Sequence, residues 1–393
     1  MIEFMEVEEG PSNETVIKVI GVGGAGGNAV DHMIREGVGG VEFICCNTDA
    51  QALKKSRAAT KLQLGPGLGA GGKPEKARDL AQQERERIAE ALRGSNMVFI
   101  TAGMGGGTGT GAGPVVAEVA RELGILTVAV VTKPFEYEGK RKRLAEEGVA
   151  ELAQHVDSLI VILNEKLEEV LGEEISMLDA FKAADNVLRN AVGGIAEIIN
   201  VPGLVNVDFE DVRTVMGEMG KAMMGSASAA GVDRARIAAE AAVASPLLEG
   251  VELSGARGVL VNITASNSLG LREYKDVMNT IRQYTAPEAT VICGAVFDEA
   301  MEDALRVTVV ATGLGAIAAK ARKPEIKVVE TFGLRTGTDN LPVLDGGMTQ
   351  QVDLASVMVG GRGRTPSSTQ ADAMAGAGID KYDIPAFLRR QSD

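Results

Sequence analysis

The sequence predicts an α/β protein: a doubly wound parallel-sheet domain, a long central helix and a second α/β domain. Three observations predict it. Short apolar runs alternate with amphipathic segments from Val16 onward. Two glycine-rich stretches each stand between such a run and such a segment. One segment, Met177 to Ile199, keeps a helical period along its whole length.

Val16 to Ile20 (VIKVI) reads as the first strand and runs into glycines. From Asn28 to Glu36, Val30, Met33 and Ile34 share a helical face, and Gly37 stops the helix. Val41 to Cys46 is the next strand, completing a β-α-β unit whose crossover implies parallel strands. Pro74 to Arg93 reads as one charged helix and Met97 to Thr101 as a strand. Pro114 to Leu123 reads as a helix with Pro114 in its first turn, where its missing N–H costs nothing. Leu126 to Val131 and Leu159 to Leu163 are further strands. In the long helix the apolar residues Leu178, Phe181, Ala184, Leu188, Val192, Ile195 and Ile199 follow steps of three or four, and Pro202 and Gly203 end it. Strands at Gly258 to Ile263, Thr290 to Val296 and Leu305 to Ala311 build the second domain, so the helix reads as a strut between two domains. The expected organisation is a flexible arm (1–14), a first domain (15–175), the central helix (176–203), a second domain (204–316), a disordered linker (317–379) and a short C-terminal peptide (380–393).

Composition excludes several function classes. The formal net charge of −14 argues against general nucleic-acid binding, which needs a positive field. A phosphate ligand fits such a chain only where backbone N–H groups and helix N-termini supply the positive potential. Cys45, Cys46 and Cys293 show no metal-type spacing, and His32 and His155 stand alone. No zinc site or disulfide framework is legible, which fits a reducing cytosol. The acidic N-terminus lacks the basic region of a signal peptide, and no apolar run approaches the roughly 20 residues of a membrane helix. A cytoplasmic protein without membrane insertion is expected.

The chemistry is expected in the glycines, 49 in all, which cluster in short runs. Gly21-Val-Gly23-Gly24-Ala25-Gly26-Gly27-Asn28 lies between a strand and a helix, where backbone N–H groups can close around phosphate oxygens. It also matches the dinucleotide fingerprint, so a nicotinamide-dependent oxidoreductase using Asp49 for the ribose is one alternative. Gly103-Met-Gly105-Gly106-Gly107-Thr108-Gly109-Thr110-Gly111 repeats the arrangement at another strand end. Two such loops suggest one polyphosphate held from two sides, whereas a dehydrogenase needs one. Gly67 to Pro74 resembles a P-loop, but Pro74 stands where a magnesium-binding hydroxyl is required, so a third loop touching the terminal phosphate is the better reading. Asn206-Val-Asp208-Phe-Glu-Asp211 reads equally as catalytic carboxylates or as a helix cap.

Together, GGAGGN at 23–28, NTDAQAL at 47–53, GGGTGTG at 105–111, KPFEYEG at 133–139 and NVDFEDV at 206–212 resemble the tubulin/FtsZ GTPase family. The resemblance covers about residues 16–315, and the tail is similar too. It implies that 15–175 binds GTP or GDP with Mg2+. Gly24, Ala25, Gly26, Gly27, Asn28, Gly107, Thr108 and Gly109 would hold phosphates and nucleoside. Asp49 would lie near the metal, itself held mainly by the phosphates, and Ala70, Gly71 and Gly72 near the γ-phosphate. Glu138 would take the ribose hydroxyls and Phe181 would stack on guanine, with Asn28, Asn164 and Asp185 reading its edge. The family's arginine after Glu138 is replaced by Lys142, flanked by Arg141 and Arg143, of which Arg143 is favoured. The loop before Gly67 is shorter than the family's, and Leu163 replaces a usual proline. Asp208 and Asp211, with Asn206, would act on the nucleotide of the next subunit in a head-to-tail homopolymer. Geometry agrees: the helix from Asp185 to Asn200 spans roughly 22 Å, too far for Asp208 to reach its own chain's phosphates comfortably. Asp383 to Arg390, apolar anchors with cations, would dock on membrane-tethering and regulatory cell-division proteins at the division site. A nucleotide-dependent scaffold that polymerises without hydrolysis is the other alternative, and Asp208 and Asp211 weigh against it.

Overall fold

The computed structural model describes residues 15–171, 176–200, 207–218, 220–245 and 255–314. The expected arm, linker and C-terminal peptide, the helix stop at Pro202 and Gly203, and Asn206 lie outside the described residues.

Six strands make the first half: β1 (Ile17–Val22), β2 (Val41–Asn47), β3 (Thr60–Gln63), β4 (Met97–Gly103), β5 (Leu126–Lys133) and β6 (Ser158–Leu163). They pair in parallel in the order β3-β2-β1-β4-β5-β6. Successive side chains enter different cores. Ile17, Val19, Phe99 and Val128 join one cluster, and Ile20, Val22, Ile100 and Ala129 join another. Both faces are buried, which is why these strands read as unbroken apolar runs. Helices α1 (Gly23–Arg35) and α8 (Met177–Asn200) cover the first face. The second carries α3 (Pro74–Gln83), α4 (Arg85–Leu92), α5 (Thr108–Glu122) and α6 (Lys140–Leu152).

The sheet does not stop at β6. Strand β7 (Gly220–Ala230) pairs with it in parallel at Ser158–Ile160. Then β10 (Ala304–Leu314) runs antiparallel between β7 and β8 (Gly258–Ala265), and β9 (Thr290–Phe297) forms the edge. The result is one ten-stranded sheet, with α10 (Arg234–Val243) and α11 (Leu271–Tyr284) packed on the second half. Helix α8 has the expected extent but is more than a strut. Its Leu188, Val192 and Ile195 share one core with Val19 and Phe99 of the first half and Val215, Leu260 and Val310 of the second.

Three helix boundaries differ from expectation. The charged helix at 74–93 is two helices, broken at Glu84 (φ −99°, ψ 16°). Helix α1 starts at Gly23 rather than Asn28, and α5 at Thr108, so Pro114 lies inside it. Six of the eight residues of the first glycine-rich stretch and four of the nine of the second are therefore helix. The glycines serve close approach: a Cβ at Gly26 would lie 2.3 Å from the Thr101 carbonyl oxygen, and one at Gly111 2.0 Å from that of Pro74. No larger residue could pack α1 on β4, or α5 on the start of α3, at these distances.

Candidate functional site

Strand β1 lies between β2 and β4, so the strand order reverses there, and crevices at the carboxyl ends of strands at such a point are the usual ligand sites of open α/β sheets. Helices α1 and α5 both begin at this crevice. Neither has a side-chain cap or an acidic residue in its first turn. Their leading N–H groups and positive dipole ends are thus offered to an anion from two directions. The two turns touch: a Cβ at Gly23 (φ +79°) would lie 2.9 Å from the Gly109 nitrogen. Gly24, Ala25, Gly107, Thr108 and Gly109 line the resulting cleft of about 290 Å³. A Cβ at Gly24 or Gly106 would meet nothing within 4 Å, so this wall is bare backbone facing open space. Gly26 and Gly27 stand behind it, Gly26 on Thr101 and Gly27 against the Cys45 sulfur.

The third loop closes on the second. Ala50 N–H donates to the Gly67 carbonyl (3.0 Å) and Gly69 N–H to that of Thr48 (2.9 Å). Ala70 and Gly72 press on Gly107, where a Cβ would lie 3.0 Å from the Ala70 Cβ and 3.2 Å from the Gly72 Cα; Gly71 faces open space. The Thr48 and Thr108 hydroxyls are 2.7 Å apart, joining β2 to the start of α5. Asp49 caps α2 (Ala50–Lys55), accepting from Gln51 N–H. Pro74 is the first residue of α3, so no hydroxyl stands in the magnesium-binding position of a P-loop.

At its other end the cleft is walled by Glu138, Arg141, Asn164 and Phe181. Glu138 sits in a short 3-10 turn after β5 and accepts from Phe135 N–H (3.1 Å) and the Arg141 guanidinium (2.7 Å). Arg143 is elsewhere: its side chain is 74% exposed and pairs with Glu147, so Arg141 is the cation of the run that reaches the cleft wall. Sequence could not separate three consecutive cations; the three-residue step from Glu138 to Arg141 was the available signal. Asn164, first residue of α7 (Asn164–Leu171), is buried with no hydrogen-bond partner for its Oδ1. A buried amide oxygen left unpaired beside a cleft is what a ligand donor would satisfy. Phe181 also borders an adjoining cleft of about 680 Å³ with Asn28, His32, Arg35 and Asp185. Burial pushes the Asp185 carboxyl up to about 6, against the pull of His32 and Arg35.

Asp208 and Asp211 border neither cleft. Asp208 caps α9 (Phe209–Met216), accepting from Asp211 N–H at 2.8 Å, so the capping geometry is real. Among the described residues the Asp211 carboxylate has no partner, and both residues are exposed. The far end of α9 shares a separate cavity with Leu126 and Asp157, at the amino ends of β5 and β6. The glycine cleft lies at the carboxyl ends, and β5 alone spans about 26 Å. The fold separates the carboxylates from the glycines by the height of the sheet.

Comparison with known proteins bears on both halves. The Tubulin/FtsZ family GTPase domain matches residues 16–172, and the FtsZ family C-terminal domain matches residues 220–315. The chain is 54% identical to the cell division protein FtsZ of Azotobacter vinelandii over 395 residues, covering 99% of this chain and 100% of that one. Identity, length and coverage are the same for the FtsZ of Pseudomonas aeruginosa. Among solved structures, an empty FtsZ dimer from M. jannaschii superposes with a TM-score of 0.74 at 44% identity, covering 77% of this chain and 89% of that chain. With its uncapped helix ends, bare glycine wall and both family domains in place, the chain belongs to the tubulin/FtsZ family and is a GTPase.

Proposed function

We propose that this GTPase is a cytoskeletal cell-division protein that assembles head to tail, each active site being completed by the next subunit. One observation carries the reading: the exposed Asp208 and Asp211 of the NVDFEDV motif lie on α9, at the opposite ends of the strands from the phosphate cleft. Stacking subunits along α8 brings Asp208 and Asp211, with Asn206, to the neighbour's cleft. Such a heterologous contact does not close on itself and so grows a filament.

Within one cleft, the backbone N–H groups of Gly24 and Ala25 at the start of α1 and of Gly107 to Gly109 hold the phosphates, with Gly26 and Gly27 behind them. Glu138 accepts from the ribose hydroxyls, and Phe181 stacks on guanine. Asp185 accepts from the guanine N1 and N2 donors, while Asn28 and Asn164 meet its other edge groups. Asp211 polarises the attacking water, and Asp208, already tied to the Asp211 amide, fixes that residue's place. This is phosphoryl transfer by positioning and charge stabilisation. Among the described residues no three His, Cys, Asp or Glu side chains converge on a metal position. A Mg2+ ion would be held mainly by the nucleotide phosphates, near Asp49, and would neutralise developing phosphate charge. Asp383 to Arg390 is the docking segment for membrane-tethering and regulatory partners at the division site of the cytoplasm. Among the described residues no helix is long and apolar enough to cross a membrane.

Light scattering at 90° recorded together with phosphate release tests the function. GTP with magnesium should raise both signals, whereas ATP and NAD should raise neither. Phosphate release without scattering would remove the filament from the reading, and preferential NAD binding would remove the nucleotide assignment.

A further inference from the structure

The chain has nine Phe, four Tyr and no Trp, yet both ring–ring contacts among its described residues occur at one place, beside the cleft. Phe135, 5% exposed, lies between two exposed rings. Tyr137 stacks on it at 5.3 Å with 11° between planes, and Phe181 meets it edge-on at 6.2 Å and 77°. Phe135 N–H also donates to the Glu138 carboxylate, so one residue supports both the ribose ligand and the stacking ring. Across the mouth, the Tyr137 hydroxyl donates to the Met177 sulfur at 3.3 Å. That contact ties the 3-10 turn after β5 to the first turn of α8, four residues before Phe181. Tyr137 and Met177 are 68% and 59% exposed, so hydrophobic burial does not explain why they are held together.

We propose that Phe135 and Tyr137 are positioning residues for Phe181, and that the Tyr137–Met177 latch sets how long a guanine nucleotide stays bound. The proposal rests on the reading of Phe181 as the stacking ring. The stack holds Phe181 at the angle a base needs, and the latch keeps the turn carrying Glu138 against the helix carrying Phe181. Nucleotide leaves when the two separate. The Tyr137 stack reaches the base through Phe181, so the larger part of its effect must disappear when Phe181 is gone, leaving what the latch does for the turn that carries Glu138.

The test is the dissociation rate of GDP from the full chain below its assembly concentration. A fluorophore on the terminal phosphate reports displacement by excess unlabelled GDP in stopped flow. Tyr137→Ala should raise the rate by about 2- to 10-fold, the factor for losing an aromatic pair. Tyr137→Phe and Met177→Leu each remove only the O–H···S contact and should raise it less, and equally. Phe181→Ala should raise it more, and adding Tyr137→Ala to that variant should raise it by a clearly smaller factor than in the wild type. An unchanged rate for Tyr137→Ala, or the same factor with and without Phe181, would overturn the proposal while leaving base stacking intact. An unchanged rate for Phe181→Ala would remove the stacking reading and the proposal with it.

Discussion

The two ends of the sheet are built from opposite chemistry. At the carboxyl ends of β1 and β4 the protein offers backbone: uncapped helix starts and glycines facing open space. At the other edge, Asp208 and Asp211 are exposed on α9. A bare cradle can hold phosphates and cannot activate water; exposed carboxylates can orient water and, on a chain of net charge −14, repel phosphates. On the proposed reading, keeping them apart lets nucleotide bind tightly in the monomer and confines hydrolysis to the assembled junction.

Removing one end without the other sharpens this contrast. The largest effect is expected from Asp211→Ala. Phosphate release should fall by about 10² to 10⁴, the range for a positioned acid–base group, while equilibrium GTP binding to the monomer stays unchanged. Gly107→Val acts at the other end. Its side chain must enter space where a Cβ already lies 3.0 Å from Ala70 and 3.1 Å from the Lys73 nitrogen. Overpacking of this kind should weaken GTP binding by about 10- to 100-fold in an equilibrium titration and leave far-UV circular dichroism unchanged.

Asp185→Asn should weaken guanine binding by about 10-fold or more, since a charged acceptor is lost. The pH dependence has a definite sign. With the carboxyl raised to about 6, wild-type affinity for GDP should fall as pH drops from 7 to 5, because the protonated group no longer accepts from both guanine donors. Asp185→Asn should show less of that fall. Stability runs the other way. Between about pH 4 and 6 the folded chain holds a proton that the unfolded chain has released, so this group makes the fold less stable as pH rises through that window. Denaturant midpoints of the two proteins across it give the difference.

Much of the parallel sheet was legible because its strands are apolar on both faces, as in MVFIT at 97–101. Strand β7 was not. Its sequence, GKAMMGSASAA, has few strand-favouring side chains, and its place comes from pairing with β10 along nearly its whole length. Strand β3, four residues at the sheet edge, left equally little signal. The glycine runs line the cleft, but they concealed the starts of α1 and α5, because glycine reads as loop and here permits helix packing. The helical period of α8 gave its length, yet periodicity cannot say that both halves of the molecule share its apolar face. At the cleft, Met104, Thr132 and Pro134 join the wall with no sequence pattern that singles them out.

The measurement closest to the central claim mixes two defective proteins. Asp211→Ala keeps an intact cleft, and Gly107→Val keeps an intact Asp211. At a GTP concentration that fills only the first protein's site, neither alone should release phosphate at an appreciable rate. Mixed, some junctions set the filled cleft of one against Asp211 of the other, and phosphate release should exceed the sum of the two separate rates. No gain on mixing, normal hydrolysis by Asp211→Ala alone, or a loss of GTP affinity in its monomer would contradict an active site shared between subunits.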